Sequence, residues 1–222
     1  MLPLGGKAQS AKGAPLNEAP LRFVGADDSD ELARADLYGL LAALYFRPPD
    51  AALFEQFSVA VTQAPQAGAL LEGPWQSLVA AMRASNVDVA REEFDALFLG
   101  IGRPEVFVYG SFYMAGFLNE TPLVALRSDL AQLGLARNPE HGETEDHAAY
   151  LFEVMRYLIA GDDAAVCNLE QQRRFFRQHL QPWVEAMCDA LEAHPRARLY
   201  RTVGAFTRAF VQVESQAFDL ME

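Results

Sequence analysis

From Asp28 to Phe218 the apolar residues return every three or four positions, in segments cut apart by glycine and proline. That spacing puts them on one face of successive helices, and it narrows the fold more than any other feature of the chain. The first segment, "DDSDELARADLYGLLAALYFRPPD", has Asp28 and Glu31 at capping-box spacing and an apolar face of Leu37, Leu40, Leu41 and Leu44; Pro48 and Pro49 end it. A second helix, "DAALFEQFSVAV", turns Leu53, Phe54 and Phe57 inward. "PWQSLVAAMRAS" and "VDVAREEFDALFLG" predict a third and a fourth, the latter ending at Gly100. A fifth runs from Leu118 to Leu133 and closes on Gly134, a residue free to take the left-handed cap conformation. Residues 142–161, "GETEDHAAYLFEVMRYLIAG", predict a sixth and "AAVCNLEQQRRFFRQHL" a seventh. Pro182 suits the first turn of an eighth, "PWVEAMCDALEAH", and "LYRTVGAFTRAFVQVESQAF" is the last.

Only "VFVYGSFYM" has β-rich composition, and it stands alone between two helices. No repeat and no shift in composition marks a second domain. The expected architecture is all-α: a single-domain bundle of about eight to nine helices over residues 28–222, with a long aromatic-rich connecting loop. Residues 1–27, rich in Gly, Ala and Pro and holding both lysines, read as a flexible tail.

Charge and cysteine usage exclude several classes. A net charge of -12 with a pI near 4.8 disfavours nucleic acid and anionic membrane, which call for clustered Lys and Arg. It permits a basic partner. Cys167 and Cys188 form no CxxC pair, which argues against structural zinc and points to a reducing cytoplasm. No apolar run reaches membrane-spanning length, and the tail has no secretory apolar core. Walker, GxSxG and HExxH patterns are missing; "GIGRP" follows a helix and lacks the third glycine of a dinucleotide loop.

Two constellations carry the functional question. In "GETEDH", Glu143, Glu145, Asp146 and His147 crowd together before an apolar helix. Acidic groups in a first turn complement the helix dipole, so a capped helix start accounts for them. His147 shares a helical stripe with Leu151, Met155 and Leu158, which directs it to the core edge; Asp146 falls on the neighbouring stripe of Tyr150, Glu153 and Tyr157. A metal site, an acid/base centre and a docking edge are the competing readings. The second constellation is "LGIGRPEVFVYGSFYMAGFLNETP", where Phe107, Tyr109, Phe112, Tyr113 and Phe117 either plug the core or line a groove for an apolar peptide.

With "YGLLAALYFRPPD" at the start, then "EEFDALFLGIGRPEVFVYGSFYM", "ETEDH" and "HLQPW" in that order, the chain resembles the TorD/DmsD/NarJ family of cytoplasmic chaperones for molybdenum-cofactor oxidoreductases, over roughly residues 30–215. One family signature is matched by Tyr109-Gly110-Ser111-Phe112-Tyr113. The other is matched by Glu143-Thr144-Glu145-Asp146-His147, with Thr144 where the family usually has proline. The resemblance implies a binding protein and no enzyme. It implies a cytoplasmic chaperone that holds the apo catalytic subunit of a molybdoenzyme and its twin-arginine leader until maturation, with no cofactor or metal of its own. It also implies a client site made of Tyr109, Ser111, Phe112, Tyr113, Glu143, Glu145, Asp146 and His147. The expected groove has the Leu151/Met155 face as floor, the aromatic loop as wall and the carboxylates as edge. A formate dehydrogenase, a nitrate reductase or an S- or N-oxide reductase are the natural clients, and a homodimer is left open. The rival readings are a metal-dependent hydrolase using Asp146 and His147, and a structural helical adaptor.

Overall fold

The structure is a computed structural model that describes residues 30–60, 69–100, 102–118, 121–138 and 142–220. The expected tail and the Asp28 cap lie outside those residues. Among them stand ten α-helices: α1 (Asp30–Phe46), α2 (Ala51–Val59), α3 (Ala69–Ala84), α4 (Val87–Phe94), α5 (Gly110–Ala115), α6 (Thr121–Gln132), α7 (Ala148–Ala160), α8 (Leu169–His179), α9 (Val184–Ala193) and α10 (Leu199–Asp219). The all-α, single-domain expectation holds, and one continuous apolar core joins these helices. The helix beyond the expected nine is α5, inside the aromatic connection.

α1 is the central element because its apolar residues encircle it: Tyr38, Leu41, Leu44 and Tyr45 are all fully buried. α7 lies along it, and the Phe152 ring sits between Tyr38 and Tyr45 at 6.1 and 5.9 Å. α10 closes the other side, with Phe210 edge-on to Tyr38 at 4.8 Å and Phe206 against Trp75 of α3 at 5.6 Å. Burying a carboxylate requires partners. Glu214 of α10, 1% exposed, has three: Arg34 Nε at 2.8 Å, Arg34 Nη2 at 2.7 Å and the Tyr38 hydroxyl at 3.0 Å.

Two helices that lack a side-chain cap of their own are capped from elsewhere. Glu93 of α4 accepts the backbone N–H groups of Arg198, Leu199 and Tyr200 at 2.8, 3.1 and 2.8 Å, tying α4 to the start of α10. Asp146 does the same for α5, as described below.

α4 runs on into a π-helical turn over Asp95–Leu99 that ends at Gly100, whose φ is 57°. A Cβ there would lie 2.0 Å from the Arg103 carbonyl oxygen, so only glycine fits. The aromatic connection then begins, held where the Glu105 and Val106 N–H groups both donate to the Leu97 carbonyl at 2.9 Å.

Several helix starts differ from the sequence pattern. α3 begins at Ala69, placing Pro74 inside the helix instead of at its start. α8 begins after Asn168, whose side chain accepts from Gln171 N at 3.1 Å; residues 164–166 are turn. Pro182 lies in the turn before α9, with Trp183 as the residue that starts it. α7 begins only at Ala148, capped by His147, so Glu143, Glu145 and Asp146 precede the helix and none occupies its first turn. The dipole explanation for that acidic cluster therefore does not apply. No helix among the described residues is long and apolar enough to cross a membrane.

Candidate functional site

The two constellations meet. Tyr109 and His147 form an isolated antiparallel bridge, with Gly110 N–H donating to the Asp146 carbonyl at 3.0 Å and Ala148 N–H to the Val108 carbonyl at 2.8 Å. One backbone rung thus fixes the aromatic segment against the acidic turn. The β-rich run "VFVYGSFYM" supplies that rung and then, from Gly110, becomes α5.

Side chains reinforce the rung from both directions. Asp146, 3% exposed, accepts the Ser111 N–H through Oδ2 at 2.9 Å and the Thr144 hydroxyl through Oδ1 at 2.6 Å. The Thr144 carbonyl also accepts the His147 N–H at 3.1 Å. Threonine at the position of the family's proline thus contributes a hydrogen bond that proline lacks. The Tyr109 hydroxyl donates a hydrogen bond to Glu143, and its ring stands edge-on to His147 at 5.1 Å. Burial, then the bond to Glu143, raise the Tyr109 phenol well above its ordinary range. His147 caps α7: its Nδ1 accepts the Ala149 N–H at 3.1 Å. Burial pulls its pKa down to about 4, against the opposing pull of Glu143 and Asp146. The imidazole is therefore neutral at pH 7, which the acceptor role of Nδ1 requires.

Glu145 faces outward. Its Oε2 accepts from both Nε and Nη2 of Arg127 at 3.1 and 3.0 Å, and Arg137 Nε lies 3.9 Å from Oε1. Partial burial raises this carboxyl, but the Arg127 hydrogen bond, a backbone hydrogen bond and the charges of Arg127 and Arg137 together outweigh it and hold the group below its ordinary value. Arg137 also donates to the Glu143 carbonyl at 2.9 Å. The expected carboxylate edge is thus internally satisfied: Glu143 by Tyr109, Asp146 by Ser111 and Thr144, Glu145 by arginines.

Ser111 is buried at the start of α5, while Phe112 and Tyr113 turn away from the acidic residues. Phe112 stacks on Phe107 at 3.9 Å, and Tyr113 stacks on Trp183 at 5.7 Å while donating to the Phe107 carbonyl at 2.9 Å. This joins the third motif, "HLQPW", to the first. Trp183 donates to the His179 carbonyl at 2.6 Å, and its indole packs so close to α5 that a Cβ on Gly110 would lie 3.0 Å from Nε1. Beyond Tyr113, Met114, Phe117 and Leu118 are exposed, Phe117 to 71%.

The expected groove floor is corrected. Leu151 and Met155 are 1% and 0% exposed, because that stripe of α7 packs in the core. A groove of about 330 Å³ opens instead on the other stripe, with Tyr150, Val154 and Tyr157 on one side, Leu130 and Leu135 on the other, and Glu145 in its wall. Tyr150 connects it to the motifs, its ring 5.8 Å from that of His147. Among the described residues no group of three His, Cys, Asp or Glu side chains could hold a metal ion. The hydrolase reading thus has no ligand set there, since Asp146 and His147 Nδ1 already accept from the protein. The roles of Arg127, Arg137 and Trp183 were missed in sequence. Only the place of "HLQPW" after the other motifs, in the order that carries the family resemblance, points to Trp183.

A family model described as nitrate reductase delta subunit matches residues 64–189, more than half of the 222-residue chain. The match contains all three motifs. No curated protein matches the chain.

Proposed function

Because the chain belongs to the nitrate reductase delta subunit family, a family of molybdoenzyme maturation chaperones and not of catalysts, we propose that it acts in the cytoplasm on one apo molybdoenzyme catalytic subunit. In this reading it binds that subunit, including its twin-arginine leader, and assists maturation before export or assembly. The observation that carries the reading is the union of two motifs some 35 residues apart in sequence through the Ser111 N–H to Asp146 hydrogen bond. That union places a partly buried aromatic segment and an apolar groove with an acidic wall on either side of one rigid rung. A leader joins a basic stretch to an apolar stretch, and such a surface can accept both.

The residues divide into two roles. Ser111, Asp146 and His147 are buried and hold the rung; Tyr109, Phe112, Tyr113, Glu143 and Glu145 are partly exposed and available for contact. Titration calorimetry with a twin-arginine leader peptide tests this. Binding is expected, weakened when both arginines become lysine, since lysine loses the planar fork that engages a carboxylate. Salt should weaken it only in part, because apolar contact is not screened. Equal affinity for both peptides would remove the carboxylates from the site, and no binding to leader or apo-subunit would remove the chaperone reading.

A further inference from the structure

Among the described residues nothing fills the α6–α7 groove, and its chemistry is mixed in a specific way. Tyr150, Val154 and Tyr157 follow one another at helical spacing along α7, facing Leu130 and Leu135, so the interior is apolar. Glu145 stands in the wall with a side chain 13% exposed, and the guanidinium that satisfies it comes from Arg127, which is 53% exposed and outside the groove. Both Arg127 donors converge on one oxygen, Oε2. A bidentate arginine–carboxylate fork uses two oxygens; Arg127 engages one of them, and Arg137 Nε lies 3.9 Å from the other, Oε1. Farther along, Glu153 also lines the groove and is held by Arg156 of its own helix. Both acidic groups of the groove are thus occupied by the chain's own guanidiniums: Arg156, itself in the lining with Arg137, engages both oxygens of Glu153, whereas Arg127 engages one oxygen of Glu145. An exposed pair of this kind is worth at most about 1 kcal/mol, so it exchanges readily.

We propose that this groove takes an apolar, arginine-bearing peptide segment whose guanidinium displaces that of Arg127 from Glu145. Arg127 is then an internal competitor that occupies Glu145 until a client arrives and sets a threshold on affinity. The proposal rests on the client-binding reading above and assigns it a place and a regulator. The occupant follows from complementarity: the interior demands apolar side chains, the wall presents a carboxylate already selected for guanidinium, and the chain carries a net charge of -12.

The test is fluorescence anisotropy with a labelled synthetic peptide of two adjacent arginines followed by a leucine- and alanine-rich run. Arg127→Gln is expected to bind about two- to fivefold more tightly than the wild type, by removal of the competitor. Glu145→Gln is expected to bind about tenfold more weakly, by loss of a charge-assisted hydrogen bond. In the double variant the Arg127→Gln gain should vanish, because its target is gone. Val154→Asp should abolish binding with little change in the melting temperature, as that side chain faces the groove; Leu70→Ser, on exposed α3, should bind as the wild type does. Wild-type binding unaltered by Arg127→Gln overturns the displacement while leaving client binding intact. Binding unaltered by Val154→Asp overturns the groove. A concentration-dependent dimer in sedimentation velocity, broken by Val154→Asp, would assign the face to a second copy and overturn the peptide. Failure of every variant, wild type included, to bind the peptide would instead count against the proposed function itself.

Discussion

The Asp146 carboxylate accepts the backbone N–H of Ser111 at 2.9 Å, and through that bond an acidic turn before α7 caps the helix that the aromatic segment begins. Signature residues in two distant parts of the chain are therefore one structural unit. Asp146→Ala leaves the Ser111 N–H and the Thr144 hydroxyl without their acceptor in a buried place and should cost about 2–3 kcal/mol in urea unfolding. Asp146→Asn should cost only about 1 kcal/mol, since its amide oxygen can face Ser111 while its NH₂ donates to Thr144. Equal losses for both variants would contradict this assignment.

Thr144→Val removes one donor to the same carboxylate and keeps the shape. A loss of about 1–2 kcal/mol is expected, and it should be non-additive with Asp146→Asn in a double-mutant cycle because the two share one hydrogen bond. Additive losses would show that the Thr144 hydroxyl acts elsewhere.

The His147 imidazole carries a pH dependence whose sign is set by its burial. Its folded pKa, about 4, lies below the ordinary value of 6.5, so between these values the unfolded chain binds the proton and the folded chain does not. Stability should therefore be unaffected by this group above pH 6.5 and fall as pH drops from 6.5 toward 4, by up to about 3 kcal/mol. Protonation would also place a hydrogen on Nδ1 and end its cap of Ala149. In His147→Gln the fall in stability between pH 7 and pH 5, measured by urea titration, should shrink. A variant with the same slope as the wild type would assign the dependence to other groups, such as His179, whose pKa burial also lowers.

At Gly110 the prediction is steric. Gly110→Ala places a methyl group 3.0 Å from Trp183 Nε1, and Trp183 is held by its bond to the His179 carbonyl. Overpacking of this kind costs about 1–3 kcal/mol. Thermal unfolding should show the loss, with the aromatic segment becoming more susceptible to proteolysis; a neutral effect would mean that the indole moves freely.

What the sequence made legible follows from the range of each interaction. Helical periodicity and the glycine at position 134, whose φ is 71°, are local signals, and they mark nine of the ten helices, though several starts and the short α5 escape them. The start of α8 was also written locally, in Asn168, but the apolar pattern upstream of it was mistaken for helix. The stripe of His147, Leu151 and Met155 is one face in sequence and in structure, yet whether a face meets core or groove depends on the approach of α1, which no pattern within α7 encodes. The Arg127–Glu145 pair spans two elements 18 positions apart and has no periodic trace. Trp183 packing on Gly110 is likewise tertiary, visible in sequence only as the company its motif keeps.

If the rung joining Tyr109–Tyr113 to Glu143–His147 serves client maturation, client molybdoenzyme activity in a strain lacking this chain reports it directly. The wild-type chain should restore activity. Asp146→Asn and His147→Gln, first shown by circular dichroism and thermal unfolding to be folded, should restore much less, with maturation impaired more than leader affinity. Full restoration by both folded variants, or molybdoenzyme activity indifferent to the presence of the chain, would contradict it.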